Sequence, residues 1–282
     1  MCLSVCKCCN YQWFGTQQWW FRWEEESFIK IREKFLQLLF PPRCPICDDL
    51  LEAAEVRNGE YLHKKCKTKL KTVGNNVCYH CGRPVRRERQ EYCHDCSKRI
   101  QQTQSPYWKG RPFSYYQQGK ALFLYQDEAK MMMYRFKYGN RRTYADFFVD
   151  VMQKQYGDWM ERTGVEAVIP VPMYHKKEKR RGYNQAGVLA KKIAAAFGLA
   201  YEPGAVHRIV NTKPQKELND EERENNLKNA FQAEEFIVKY RYVLLVDDIY
   251  TTGSTADAVA KQLLAAGVEK IFFFSVCVGN GY

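Results

Sequence analysis

The chain has no run approaching the roughly 18 to 20 consecutive apolar residues that cross a bilayer as a helix, so no membrane-spanning helix is expected. Its first residues have no apolar core of the secretory kind: Lys7 is followed by polar and aromatic residues, and a signal peptide is not expected either. Acidic residues are the minority, 32 Asp and Glu against 44 Lys and Arg, for a net charge of +12. That balance favours a polyanionic partner, nucleic acid or an anionic membrane surface, with a merely solvated basic surface as the alternative. The twelve cysteines are not laid out as a disulfide framework. Cys44 and Cys47, Cys78 and Cys81, and Cys93 and Cys96 fall in Cys-x-x-Cys pairs, the spacing of metal ligands in a reducing compartment, so the cytoplasm is the expected location. At 282 residues the chain has room for about two domains.

What the front third does have is ligands. Cys44 and Cys47, His63 and Cys66, Cys78 and Cys81, and Cys93 and Cys96 follow one another as four pairs with two residues between members. Zinc takes four tetrahedral nitrogen or sulfur donors, and one such knuckle supplies two of them from a single tight turn. Cys78, Cys81, Cys93 and Cys96 make a complete thiolate set, with Gly82 placed for the turn. The first set, Cys44, Cys47 and Cys66, needs His63 as its remaining donor, so one or two zinc ions are expected. Four protein donors leave no open coordination position, which makes the role structural. His80 and His94 lie inside knuckles and are read as bystanders. Arg83, Arg86, Arg87, Arg89, Lys98 and Arg99 run along the second ribbon, either to meet phosphates or to solubilise a small domain. The double ribbon is placed at residues 42–105.

Residues 1–41 form an extension. Cys2, Cys6, Cys8 and Cys9 do not repeat the successive ligand pairs found further on, and Trp13, Trp19, Trp20 and Trp23 crowd together. From Phe28 to Phe40 apolar residues recur at helical spacing against Lys30, Arg32, Glu33 and Lys34. The helix so predicted packs on the ribbon or, in the other reading, makes a peripheral membrane contact.

Residues 106–282 read as an α/β domain with a mostly parallel sheet and helices on both faces. Its centre is Val243 to Thr255, VLLVDDIYTTGST. Four apolar residues make a buried strand, Asp247 and Asp248 stand at its carboxyl end, and Thr251, Thr252, Gly253, Ser254 and Thr255 form a turn into a helix over 256–266. Ligands in open α/β sheets bind at strand carboxyl ends, and a helix start offers free N–H groups to a phosphate. Gly253 permits close backbone approach, while the carboxylates stand where the vicinal hydroxyls of a sugar, or Mg²⁺ beside them, would lie. Phosphate at one end and diol at the other describe a ribose 5-phosphate. The stretch resembles the PRPP-binding motif of type I phosphoribosyltransferases. It departs from many purine transferases at Thr251, where those carry an Asp, so the resemblance does not imply purine transfer. The turn is expected at the surface, separate from the ribbon.

Upstream, 113–125 suggests a hairpin turning near Gln118 and Gly119. A helix from Asp127 to Gly139 carries Lys137 near its end, and a second helix is expected over 144–156. Arg135, Lys137, Arg141 and Arg142 form a basic cluster. A buried strand, 167–171, bends at Pro170 and Pro172. The cationic run 173–185, with Arg181, Gly182, Tyr183, Asn184 and Gln185, reads as a turn suited to a diphosphate beside the 5-phosphate. The Lys- and Glu-rich run between Asn211 and Phe231 reads as a hood over the site or a partner surface.

Taken in order, the double ribbon, Phe136-Lys137-Tyr138-Gly139, Ile169-Pro170-Val171-Pro172, Arg181-Gly182-Tyr183-Asn184-Gln185, the points Thr212, Gln215, Leu218, Arg223, Asn226 and Phe231, and the VLLVDDIYTTGST stretch resemble the competence protein F (ComF, GntX/ComFC-like) family from about Pro42 to Val278. The resemblance implies a cytoplasmic protein of natural transformation that acts on incoming single-stranded DNA with a helicase partner. It also implies a phosphoribosyltransferase-like pocket for PRPP or a ribose phosphate. His63 stands where the family usually has Cys, and the Trp-rich extension has no counterpart in it. Two other classes of function stay open: an active phosphoribosyltransferase on a small acceptor, and an interaction module with a vestigial pocket. The intact acid pair and turn weigh against the last.

Overall fold

The computed structural model describes residues 41–87, 89–104, 112–210, 227 and 230–279. The extension, with its predicted amphipathic helix, and most of the Lys- and Glu-rich run lie outside the described residues. In chain order the elements are α1 (Ala53–Arg57), α2 (His94–Thr103), β1 (Gln118–Leu124), α3 (Asp127–Tyr138), α4 (Tyr144–Thr163), β2 (Ala167–Pro170), α5 (His175–Arg181), α6 (Gln185–Phe197), β3 (Ala200–Tyr201), β4 (Val206–Arg208), β5 (Phe231–Ala233), β6 (Tyr242–Tyr250), α7 (Ser254–Ala265) and β7 (Lys270–Val278). Among them no helix is long and apolar enough to cross a membrane.

Five strands form one sheet in the order β1-β7-β6-β2-β3, every pair parallel, while β4 and β5 make a small antiparallel pair. The pattern follows from β6. Val243, Leu244, Leu245 and Val246 are all fully buried, which only a strand covered on both faces permits. Side chains alternate, so Leu244 and Val246 join a core with Met132, Phe136, Phe148, Leu189 and Ile193 of α3, α4 and α6. Val243 and Leu245 join the opposite core with Ala256, Val259, Ala260 and Leu263 of α7.

The expected mostly parallel α/β class is what the structure has, and α3 stops before Gly139 as predicted. Helix α4 instead runs on past 156 to Thr163, because Trp159 and Met160 continue its buried face before Gly164 ends it in the left-handed conformation (φ 64°). The run His175–Arg181, expected as a turn, is the short helix α5, closed by Gly182 at φ 86°.

The hairpin expected at Gln118 and Gly119 is not there. β1 is one strand, parallel to β7 with Gln118 opposite Phe272. Gly119 serves close approach instead of a turn: its N–H donates to the carbonyl of His80 in the second ribbon. A Cβ on Gly82, itself at φ 74°, would come within 2.8 Å of the Gly119 carbonyl oxygen. Two glycines thus let the ribbon backbone lie directly on the edge strand. The outer edge of β1 is covered by the connection between the ribbons, with Val73 N–H donating to Leu122 O at 3.1 Å and Leu124 N–H to Lys71 O at 2.9 Å. Covering an edge in this way removes a template for unwanted pairing.

Gly82→Ala should therefore cost about 2 kcal/mol or more, from positive φ and from the contact with backbone that cannot retreat. Urea unfolding checks it, and an unchanged midpoint would show that the ribbon does not need this approach.

Candidate functional site

The donor atoms of Cys44, Cys47, His63 and Cys66 gather in one place and those of Cys78, Cys81, Cys93 and Cys96 in another, within 4.8 Å of one another in each group. Donors held about 2.3 Å from one tetrahedral zinc lie roughly 3.8 Å apart, so both groups fit that ion. His63 is oriented as a ligand: Nδ1 lies 3.3 Å from Cys47 Sγ, and Nε2 is 2.9 Å from the Leu50 carbonyl, which accepts its proton. A backbone acceptor on the far nitrogen is the usual support that fixes a ligating imidazole. His94 is exposed, whereas His80 is buried and stacked on Tyr116, with ring centroids 4.3 Å apart.

Each ribbon is docked through a carboxylate. Asp48, beside the first, accepts from Arg141 at 2.8 Å and from Tyr144 Oη at 2.6 Å at the start of α4. Burial opposes the ionised form, but these partners hold the Asp48 carboxyl below its ordinary range. Arg135 also donates to Ile46 O at 2.8 Å, so two members of the predicted basic cluster serve the fold. On the second ribbon Arg83 and Arg99 point inward. Arg83 pairs with Asp95 and lies over the Tyr250 ring, 5.4 Å from its centroid. Arg99 pairs with Asp257 of α7. Neither of them is a surface cation.

The acid pair sits where β6 outruns its neighbour. β2 pairs through Pro170 opposite Val246, while β6 continues alongside β7 to Tyr250, so Asp247 and Asp248 border the crevice beyond the end of β2. Asp248 faces α3, where Lys137 Nζ lies 3.0 Å from its Oδ2. Burial works against the Lys137 ammonium, but Asp248 overrides it and the pKa ends above the ordinary value. Asp247 has the opposite balance: burial and the Asp248 charge push its carboxyl up to about 7, against the pull of the Asp248 N–H, Lys137 and Arg208. A carboxylate poised near neutrality beside a paired one is the arrangement found where a ligand supplies the missing counter-charge.

Gly253 is the residue before α7, at φ 84°, and Thr252 Oγ1 and Ser254 Oγ lie 2.9 Å apart across it. Thr251 is exposed; Thr252, Ser254 and Thr255 are partly so. The expectation that this turn stands apart from the ribbon is corrected by what lies behind it. A Cβ on Gly253 would fall 2.3 Å from Tyr250 Oη, and that hydroxyl is hydrogen-bonded to Tyr116 Oη at 2.8 Å, under the ribbon. Asp257, in the first turn of α7, takes Arg99 on one oxygen, and on the other Ser114 Oγ at 2.6 Å and the Tyr115 N–H at 2.9 Å; its own N–H donates to Gly253 O at 2.8 Å. Asp257 was missed in the sequence because a carboxylate in a first helical turn already has an ordinary reason to be there, the positive end of the helix.

The segment from Arg181 to Gln185 is held against the same crevice. Tyr183 Oη donates to Phe136 O, and Asn184 donates to Val171 O at 3.1 Å while capping α6 through the Ala186 N–H. Arg181 itself reaches Gln185 Oε1 at 2.6 Å and Tyr138 Oη at 3.1 Å, on the outer side. Beside Pro170, a crevice of about 430 Å³ is lined by Tyr183, Asn184, Tyr201, His207 and Arg208 among others. The structure thus brings Lys137, Asp247 and Asp248 together and keeps the turn at the same strand end, while Arg181 lies on the outer side against Tyr138.

Residues 35–97 match the double zinc ribbon domain. Over 240 residues the chain is 33% identical to the competence protein F of Haemophilus influenzae, spanning 81% of this chain and 93% of that protein. It is 26% identical to the DNA utilization protein YhgH of Salmonella typhimurium over 219 residues, 75% of this chain and 94% of that protein. With the competence protein ComFC of Bacillus subtilis the figures are 25% over 238 residues, 79% and 89%.

Gly253→Val should disturb more than the turn. The added side chain displaces Tyr250 and breaks its bond to Tyr116, so thermal stability falls. Asp257→Ala leaves the partly buried Arg99, the Ser114 hydroxyl and the Tyr115 N–H without their acceptor, at a cost of about 1–3 kcal/mol. Thermal melts at matched zinc content check both, and wild-type melting of either variant would show that ribbon and turn are independent after all.

Proposed function

Since the chain belongs to the competence protein F family, we propose that it serves DNA uptake in natural transformation, handling single-stranded DNA with a helicase partner in the cytoplasm and binding PRPP or a ribose 5-phosphate at the end of β6. The observation that carries the pocket is the acid pair facing Lys137 beside the Gly253 turn. In this reading Asp247 and Asp248 accept from the ribose hydroxyls or hold Mg²⁺ beside them. The N–H groups of 251–255 and the hydroxyls of Thr252, Ser254 and Thr255 take the 5-phosphate, as helix starts do. Lys137, Pro170 and the Arg181–Gln185 segment border the diphosphate side. Both ligand groups hold zinc in a structural role, two ions per chain, and the units run over 42–105 and 106–282 with the extension before them.

The crevice beside Pro170 supports a second reading, an active phosphoribosyltransferase whose small acceptor enters there. Pyrophosphate release from PRPP on adding an acceptor separates the two; binding without release keeps the pocket a ligand site.

Metal analysis should find two zinc ions per chain, falling to one in His63→Ala. Cys78→Ser should unfold the second ribbon, since small metal domains draw their folding energy from the ion. No zinc in protein purified without chelators would refute the assignment.

The raised carboxyl of Asp247 gives the pocket a pH signature. Below about 7 it is protonated and a poor acceptor for a diol; above, it is ionised. Affinity for Mg²⁺-PRPP should therefore rise severalfold between about pH 6 and 8, and Asp247→Asn should flatten that rise as well as weaken binding. The same substitution should raise the melting temperature. A buried carboxyl whose folded pKa lies above its unfolded value destabilises the fold increasingly as pH climbs between the two, so the gain should be larger at pH 8 than at pH 5. Calorimetric titration checks the first, and a wild-type affinity in the Asp247/Asp248 double Asn variant would sink the pocket.

A further inference from the structure

Helix α3 shows solvent a stripe that the core does not use. Met131, Tyr134 and Tyr138, three and then four residues apart, are 51, 58 and 60% exposed, while Met132, Met133 and Phe136 of the same helix are buried. The rings of Tyr134 and Tyr138 lie 5.1 Å apart, centroid to centroid, and make one continuous aromatic surface. Arg181 extends it: its guanidinium lies over the Tyr138 ring at 4.8 Å and its Nη2 donates to the Tyr138 hydroxyl. Behind Arg181 comes the rest of α5, His-Lys-Lys-Glu-Lys-Arg, with Lys176, Lys179 and Arg180 exposed. Arg142 lies on the near side, over the ring of Tyr183 at 4.4 Å. The positive field here is strong enough to be felt within the cluster. The Lys177 ammonium is held below its ordinary pKa by burial and by Arg208, Arg180 and Arg181.

Aromatic faces set among fixed cations suit one class of partner better than others. An apolar peptide or an acyl chain would have to desolvate the guanidinium on Tyr138 and the ammonium groups beside it, with little to answer them. A single-stranded nucleic acid answers both: bases stack on exposed rings and on a guanidinium plane, and phosphates take the flanking charge. We propose that Tyr134, Tyr138 and Arg181 form a base-stacking platform for single-stranded DNA, whose backbone follows the cations of α5 and Arg142. This rests on the DNA-handling reading above and adds the surface that performs it. Lys137, the residue before Tyr138, is the one that pairs with Asp248. The platform thus lies on the same helix as the lysine of the candidate pocket, one residue on.

The test is fluorescence anisotropy of a labelled oligothymidylate with the full-length, zinc-loaded chain across a salt series. Tyr134→Ala with Tyr138→Ala should weaken binding tenfold or more while leaving the salt slope unchanged, because stacking partners are removed and no phosphate contact is. The Phe variants at both positions should bind like wild type. Lys179→Gln with Arg180→Gln should weaken binding and lower the slope by about two. Melting temperature and Mg²⁺-PRPP affinity should hold in the double Ala variant, whose rings are exposed. Wild-type DNA affinity in that variant would overturn the platform while leaving DNA binding intact. So would loss of binding to anionic phosphatidylglycerol vesicles with DNA affinity kept, which would make the stripe a lipid contact. Failure of the wild type to bind at low salt would remove the DNA reading itself, and the platform with it.

Discussion

One buried carboxylate, Asp257, ties the cysteine-rich module to the turn on which the candidate pocket is built. It takes a guanidinium from the ribbon, a hydroxyl and an amide from the connection to β1, and through its own N–H it holds the Gly253 carbonyl. Such a network is costly to break at any member, because each leaves another buried polar group without its partner. Tyr250 works in parallel, with its hydroxyl on Tyr116, Arg83 over its ring and Gly253 packed against it. The cysteine cluster behind these contacts therefore buttresses the turn of a candidate pocket that it does not touch. That gives the second cluster a structural purpose in a chain whose α/β sheet already has a large core on each face.

The acid pair illustrates a stability cost retained at the candidate pocket. Val243 to Val246 bury both faces of β6, and the strand then carries two carboxylates into a crevice that one lysine half neutralises. The unmatched member, Asp247, is left easier to protonate than an ordinary Asp. A ligand bringing hydroxyl donors or a divalent cation would relieve that imbalance, so binding and charge compensation would be one event.

Net charge alone misdescribed the basic residues. Arg83, Arg99, Arg135 and Arg141 are used inside the molecule, where planar bidentate donors suit the docking of one module on another. The cations left on the surface beside α3 and α5 are focused around exposed aromatic rings, which a count of charges cannot reveal.

The sequence by itself determined what depends on local spacing. The four ligand pairs, the parallel α/β alternation, the buried run of β6, the acid pair and the glycine turn into α7 were all legible, because each is a short-range pattern that one knuckle, strand or helix start enforces. His63 was legible as a candidate ligand, and the fold then added the Leu50 carbonyl that aims it. Only the tertiary structure decided what depends on residues distant in the chain. Gly119 looked like a turn because glycine is common in turns, and it proved to be a point of close contact with Gly82, 37 residues earlier in the chain, within the ribbon. The 173–185 run looked like a loop because its cations carry no apolar period, yet seven of its residues form α5. The bonds from Asp257 to Arg99 and from Tyr250 to Tyr116 span 158 and 134 residues. No periodicity or motif encodes such partners, since they meet only after the sheet has formed and the ribbon has closed over its edge.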